Sequence, residues 1–288
     1  MNDLMSNIKS LREITGAGFL DCKKALNENE NNVENSIDFL RKKGLAKANK
    51  KSSREAKEGA VGIYSKGNIS AIIQINTETD FAAKNNVFLD FMDQIGGYAI
   101  EKNKADLTLN DFNDMTFNNR KIIDQFKDII AKIGENIILS KLLFIQNTDD
   151  HMISTYIHNA YRKNIGKIAV MLKANVSEIN DEAHMFGKNL CMHIAASKPL
   201  AMNIESLDQE LIDKEKEIQI ANIKASGKPE NIIDKILDGK MKRFYSESTF
   251  LDQKYILDPD KNVNEVISDF SKNNKIEIMK YNLVVLGT

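Results

Sequence analysis

The sequence is short of most of what announces chemistry. Its 288 residues contain no tryptophan, three prolines and two cysteines. Cys22 and Cys191 lie far apart and form no CxxC spacing. That excludes a disulfide framework or a paired-cysteine zinc site, and it fits reduced cytosolic thiols. No apolar run approaches the roughly 20 residues of a membrane span, and the start, Met1-Asn2-Asp3-Leu4, lacks a signal-peptide layout. The expectation is a soluble cytoplasmic protein. Charge of one sign is also missing, since 40 basic residues face 41 acidic ones for a net charge of -1. Phosphate contacts dominate nucleic-acid affinity, so this balance argues against a general nucleic-acid binder. The local exception is the acid-free run Arg41 to Lys51. It reads either as a solvated helix face or as a patch for an acidic partner.

Catalytic signatures are absent too. There is no GxxxxGK[ST], GxGxxG or HExxH. The four histidines, His151, His158, His184 and His193, include no i, i+4 pair of the kind that binds metal on a helix. His184 and His193 are expected on one helix as ordinary polar or half-buried residues. Acidic residues abound, but their sequence positions do not pair them for acid–base work. The chain reads as no enzyme, with no cofactor and no metal.

What is present is a patterned globular chain. Hydrophobic residues make up 42%, enough for a real core, and the length allows two or more packing units. Leu4, Ile8 and Leu11 fall at helical spacing, and Thr15-Gly16-Ala17-Gly18 interrupts the helix. Phe19, Cys22 and Leu26 give a second stripe. Asn32 is a candidate N-cap for a third helix carrying Val33, Ile37 and Leu40. Beyond Gly59, Ala60–Tyr64 and Ile69–Asn76 read as strands joined by a hairpin signal at Lys66-Gly67-Asn68. In the second strand Ile72 breaks strict alternation, which predicts cover on both faces. A helix follows Glu78-Thr79-Asp80-Phe81 with Val87, Phe91 and Ile95 aligned. Another carries Ile122, Phe126, Ile129 and Ile133 up to Gly134, and Ile137–Ile145 reads as a strand.

A similar plan then recurs. Ile153–Ile157 alternates, Ile168–Leu172 is a continuous apolar run, and a helix over Asp181–Ala196 holds Phe186, Leu190 and Ile194. The order hairpin, helices, strand thus occurs twice, predicting two related α+β halves with antiparallel sheets. Between the second half and its last elements, Leu207, Leu211, Ile218, Ala221 and Ala225 resemble a heptad seam. Ser226-Gly227-Lys228-Pro229 reads as a sharp turn, with Ile233, Leu237 and Phe244 returning. This predicts an antiparallel helical hairpin. A helix near Val263–Phe270 and a strand over Ile276–Leu286 close the chain.

Five segments, in order, resemble one family. Leu11-Arg12-Glu13-Ile14-Thr15-Gly16-Ala17-Gly18-Phe19-Leu20-Asp21-Cys22-Lys23-Lys24-Ala25-Leu26 is similar to the first signature of the elongation factor Ts family. Asn76-Thr77-Glu78-Thr79-Asp80-Phe81-Ala82-Ala83-Lys84 resembles its second. Ile133-Gly134-Glu135-Asn136, Met192-His193-Ile194-Ala195-Ala196-Ser197-Lys198-Pro199 and Ser226-Gly227-Lys228-Pro229 match further family segments.

The resemblance implies a guanine-nucleotide exchange factor for elongation factor Tu. The partner would be bound in its GDP-loaded and nucleotide-free forms, with no membrane and no specific nucleic acid involved. It also implies an α+β fold. Residues 1–54 would form a ubiquitin-associated-like three-helix domain and residues 55–146 one core subdomain. Residues 147–201 with 250–288 would form the other subdomain, and residues 202–249 an inserted antiparallel coiled-coil hairpin. Whether that hairpin dimerises the complex or touches the partner stays open.

By the same resemblance, Thr79, Asp80, Phe81 and Ala82 push into the partner and dislodge its Mg²⁺, while Arg12, Lys23, Ile133, Gly134 and His158 make further contacts. In isolation the same residues read differently: Thr79 or Asp80 as a helix cap, Phe81 as core, Gly134 as helix termination, His158 as a strand-end polar residue, Arg12 and Lys23 as a solvated face. This chain departs from the family in having Ala82 where Val is common. It also has Asn159-Ala160-Tyr161-Arg162-Lys163-Asn164 where a shorter Gly-rich link is usual. A further C-terminal helix that some members carry is expected to be missing after Thr288. Two rival readings are a scaffold that holds a GTPase without exchanging its nucleotide, and an RNA-associated protein using the Arg41–Lys51 run.

Overall fold

In a computed structural model of the protein, residues 2–101, 107–146, 151–226, 229 and 232–287 are described, with the backbone alone for 2 and 45–50. The chain opens with α1 (Asn2–Thr15), α2 (Phe19–Glu28) and α3 (Val33–Lys51). Ile8, Leu11, Cys22, Ala25 and Leu26 are buried between them, with Leu4, Ile37 and Leu40 packed alongside. As the sequence predicts, Asn32 caps α3, its Oδ1 accepting from the Asn35 N–H at 2.9 Å. Phe19 is not part of the inward stripe. It stands at the first position of α2 and is exposed, and Ala25 completes the stripe instead.

β1 (Glu58–Lys66) and β2 (Ile69–Thr77) form the expected hairpin, with Lys66 paired to Ile69. The two-residue turn needs a left-handed residue at its first position, and Gly67 (φ 57°) supplies it. There follow α4 (Asp80–Ala83), α5 (Asn86–Glu101), α6 (Leu109–Asp114), a small ribbon of β3 (Thr116–Phe117) and β4 (Arg120–Lys121), α7 (Ile122–Ile133) and β5 (Ile137–Gln146). Next come β6 (His151–His158), β7 (Ile165–Gly166), β8 (Ile168–Val176), α8 (Asp181–Ser197), α9 (Gln209–Ala225) and α10 (Ile233–Ser248). A β9 (Lys254–Tyr255) and β10 (Asp258–Asn262) pair, α11 (Val263–Ser271) and β11 (Ile276–Val285) complete the chain.

The architecture is α+β, and the chain divides into two units. The first holds the chain up to Gln146 together with Asn159–Ile168, and its sheet order is β5-β2-β1-β7. β2 lies between antiparallel β1 and β5, and each of its residues is buried. That position accounts for the lost alternation at Ile72. Against this sheet α5 lays Phe88, Phe91, Met92 and Ile95, and α7 lays Ile122, Phe126 and Ile129. Phe91 and Phe126 meet edge to face at 4.9 Å. Each fully buried side chain of this size stabilises the fold by about 1.5–3 kcal/mol. Val87, expected on the inward stripe, is exposed because Phe88 takes the inward position at the start of α5.

The second unit contains β6 and Ala169–Leu283, with sheet order β11-β8-β6. The central strand β8 pairs with β6 and with β11, which follows the helices. The expected repeat of the hairpin is not met here, because β7 stands between β6 and β8 in the chain and pairs with β1 in the first unit's sheet. Leu190 and Ile194 of α8 are buried, while Phe186 stacks on Phe270 of α11 at 4.1 Å.

α9 and α10 pack on each other through Ile223, Leu237 and Met241, flanked by Ile212, Ile220, Ile233 and Phe244. The expected seam through Ile218 and Ala221 is displaced by about half a turn: Ile218 is 45% exposed and Ala221 is also exposed. Ile220 and Ile223 carry the contact because they face the Ile233–Leu237–Met241 stripe of α10. Gly227 and Lys228 of the expected turn lie outside the described residues, as do the side chains of Lys47 and Lys50 in the basic run.

Candidate partner-binding site

β2 delivers the chain at Thr77 into a turn, and the short α4 begins at Asp80. Thr79 is extended (φ -127°, ψ 157°) and its hydroxyl accepts the Ala82 N–H at 3.3 Å, so it caps α4 as its residue type predicts. The same residue is held from outside. Its backbone N–H donates to Glu135 Oε2 at 2.9 Å and its hydroxyl donates to Glu135 Oε1 at 2.7 Å. Its carbonyl accepts from the Thr77 hydroxyl at 2.7 Å. Every polar group of Thr79 is therefore engaged.

A second carboxylate runs the opposite way. Glu78 Oε1 accepts the Asn136 N–H at 2.6 Å, and Glu78 Oε2 lies 3.4 Å from the Arg54 guanidinium. The Asn136 side-chain amide donates to the Arg54 carbonyl at 2.7 Å, and the Lys51 ammonium donates to the Gly134 carbonyl. Gly134 makes this crossing possible. It ends α7 in the left-handed conformation (φ 88°), where a side chain would be strained, and turns Glu135 and Asn136 toward the Thr79 loop.

What the loop presents is Phe81, 84% exposed, the largest such value among the large hydrophobic residues described. Beside it Asp80 pairs with Lys84 at 2.8 Å, and that hydrogen bond and charge hold its carboxyl below the usual range. Ala82 faces the other way and is 5% exposed, packed beneath the loop with Ala83. An exposed aromatic on a loop whose backbone is tied at several points leaves little backbone freedom to lose on binding, which favours a contact surface.

The remaining residues singled out in the sequence are placed as follows. Ile133 is half-buried against the first unit's core, directly before Gly134 and so beside the loop's brace. Arg12 and Lys23 are exposed on α1 and α2. His158 belongs to the second unit, exposed at the end of β6, with Nδ1 3.2 Å from the Tyr156 hydroxyl. Of the basic run, Lys43 pairs with Asp21 at 2.8 Å and Lys51 is committed to Gly134. Sequence reasoning passed over Glu78, Glu135 and Arg54. Glu135 stood next to the chosen Ile133 and Gly134, and only its distance from Thr79 in the chain concealed its role.

His193, expected to be polar or half-buried, is fully buried. Its Nδ1 accepts the Ile256 N–H at 3.3 Å and its Nε2 lies 3.0 Å from Gln253 Oε1. Burial lowers its pKa from the ordinary value, so the ring is held neutral. Among the described residues no group of three or more His, Cys, Asp or Glu could hold a metal ion, and no helix is long and apolar enough to cross a membrane.

Comparison with known proteins gives the same family. The family model described as Elongation factor TS matches residues 78–288, beginning at the carboxylate that anchors this loop. The chain belongs to the elongation factor Ts family. It is 37% identical to an Elongation factor Ts of Allorhizobium ampelinum over 284 residues, covering 97% of this chain and 91% of that relative. Elongation factor Ts of Sinorhizobium fredii is 39% identical over 267 residues, covering 92% and 86% respectively. Members of this family are translation elongation factors.

Proposed function

We propose that this member of the elongation factor Ts family is a guanine-nucleotide exchange factor that binds elongation factor Tu carrying GDP and speeds GDP release. The observation that carries the reading is the braced, outward Phe81 at the tip of Thr79-Asp80-Phe81. A ring that enters a gap in the GTPase disturbs the shell around Mg²⁺ and nucleotide without any bond being made or broken. Aromatic anchors commonly contribute about 2–4 kcal/mol at an interface. Each tenfold loss of GDP affinity requires about 1.4 kcal/mol of coupling, so one such anchor suffices for a large effect. The coupling is reciprocal, and GDP must weaken the factor as the factor weakens GDP.

Within this reading Asp80 redirects hydrogen bonds beside the ring and Ala82 supports the loop from below. Ile133 and Gly134 extend the same contact. Arg12 and Lys23 of the helical domain (residues 1–54) and His158 of the second subdomain meet the partner elsewhere. The protein would work in the cytoplasm, with the helix pair within 202–249 either meeting the partner or joining two complexes. Stopped-flow release of a fluorescent GDP from elongation factor Tu tests the proposal. Acceleration by micromolar amounts of the chain supports it, and a rate equal to spontaneous release ends it.

A further inference from the structure

We infer that Glu135 is a positioning residue for exchange: with Glu78 it forms a crossed carboxylate clamp that holds the Thr79–Phe81 loop in its working conformation. The inference rests on the exchange reading above. Each carboxylate comes from one strand of the crossing and grips a backbone N–H of the other. Glu135 takes the N–H and hydroxyl of Thr79, and Glu78 takes the N–H of Asn136. Bonds from N–H to an ionised carboxylate are short and directional. A pair running in opposite senses fixes both translation and tilt of the loop. The clamp continues to the end of α3, since Lys51 holds Gly134, Arg54 reaches Glu78, and the Asn136 amide holds the Arg54 carbonyl.

A helix of four residues has too few internal bonds to hold itself. Without Glu135, Thr79 would keep its cap to Ala82 and its bond from the Thr77 hydroxyl but lose both bonds to Glu135, and Phe81 would sample many directions. The ring would still reach the partner, but it would seldom arrive aligned. Misplacement of this kind lowers the maximal rate more than it lowers binding.

The test is the rate of fluorescent GDP release from elongation factor Tu as a function of factor concentration, for the full chain and its variants at a temperature where all remain folded. Glu135→Ala is expected to lower the plateau rate about tenfold while the half-saturating concentration changes little. Glu135→Gln keeps one acceptor for Thr79 and should fall between Glu135→Ala and wild type. Combining Glu135→Ala with Thr79→Val should cost less than the sum of the two, because both remove the same bond. Glu55→Ala, in a neighbouring exposed ion pair with Lys57, should match wild type. A role in stability alone would lower the melting temperature and leave the plateau untouched. If Phe81→Ala lowers the plateau and Glu135→Ala does not, the clamp is overturned and the exchange reading stands. If wild type itself releases no GDP, both fall.

Discussion

Two segments that resemble the family in sequence meet opposite fates in the structure. Thr77–Lys84 forms a turn and the short α4, and its one large apolar side chain, Phe81, points to solvent. Met192–Pro199 forms the end of α8, and its one ionisable ring, His193, is sealed inside the second unit against Gln253 and the Ile256 N–H. Both segments spend hydrogen bonds on fixing a ring. In the first the bonds go to the backbone, leaving the ring free for something else. In the second they go to the ring itself, which therefore serves the fold. A resemblance marks both places as important, and the geometry separates presenting a side chain from consuming it.

The comparison can be broken first by stability. Phe88, seven residues after Phe81, is fully buried in the first unit's core. Phe88→Ala should cost about 3–5 kcal/mol, whereas Phe81→Ala should lie within about 0.5 kcal/mol of wild type. Chemical denaturation of both variants checks this, and equal losses would make Phe81 a structural residue. Next, His193→Ala should cost about 1–3 kcal/mol, because it leaves the buried Gln253 carbonyl oxygen without its partner and removes the acceptor of the Ile256 N–H. A loss no larger than that of an exposed histidine such as His184→Ala would mean that the ring is not integral to the second unit.

The smallest effect is a pH dependence. Burial lowers the His193 pKa, so the unfolded chain takes up a proton near the ordinary histidine value of about 6.5 before the folded chain does. The stability that the neutral ring contributes is therefore present above that value. It is lost as pH falls from there toward the lower folded pKa. Melting temperatures between pH 7.5 and 5.5 should fall more steeply for wild type than for His193→Gln, and parallel slopes would contradict the burial argument.

Much of the fold was legible because periodicity records burial. The β1–β2 hairpin, the Asn32 cap and the stop at Gly134 follow from residue type and spacing, whereas the hairpin expected in the second half is interrupted by β7, whose two residues pair with β1. The misses have physical causes. Phe19 and Val87 were placed in apolar stripes because they are apolar, but each sits at a helix start and is exposed; at Val87 the neighbouring Phe88 fills the inward position. Ile218 and Ile220 are equivalent in composition, and only the facing stripe of α10 selects Ile220. Of the site, the loop was legible through the resemblance and the Thr79 cap through its chemistry. The Glu135 and Glu78 crossing was not, since partners more than fifty residues apart meet only once β2 and β5 are paired.

The central claim is that Phe81 is presented for a partner rather than used by the fold. It is tested most directly by following fluorescent GDP release from elongation factor Tu with wild-type chain and with Phe81→Ala at matched concentrations, alongside circular dichroism and denaturation of both. The account predicts fast release with wild type, and release slowed at least tenfold with Phe81→Ala, about 1.4 kcal/mol or more of lost coupling, while the fold and its stability are unchanged. Equal release rates with an intact variant would contradict it.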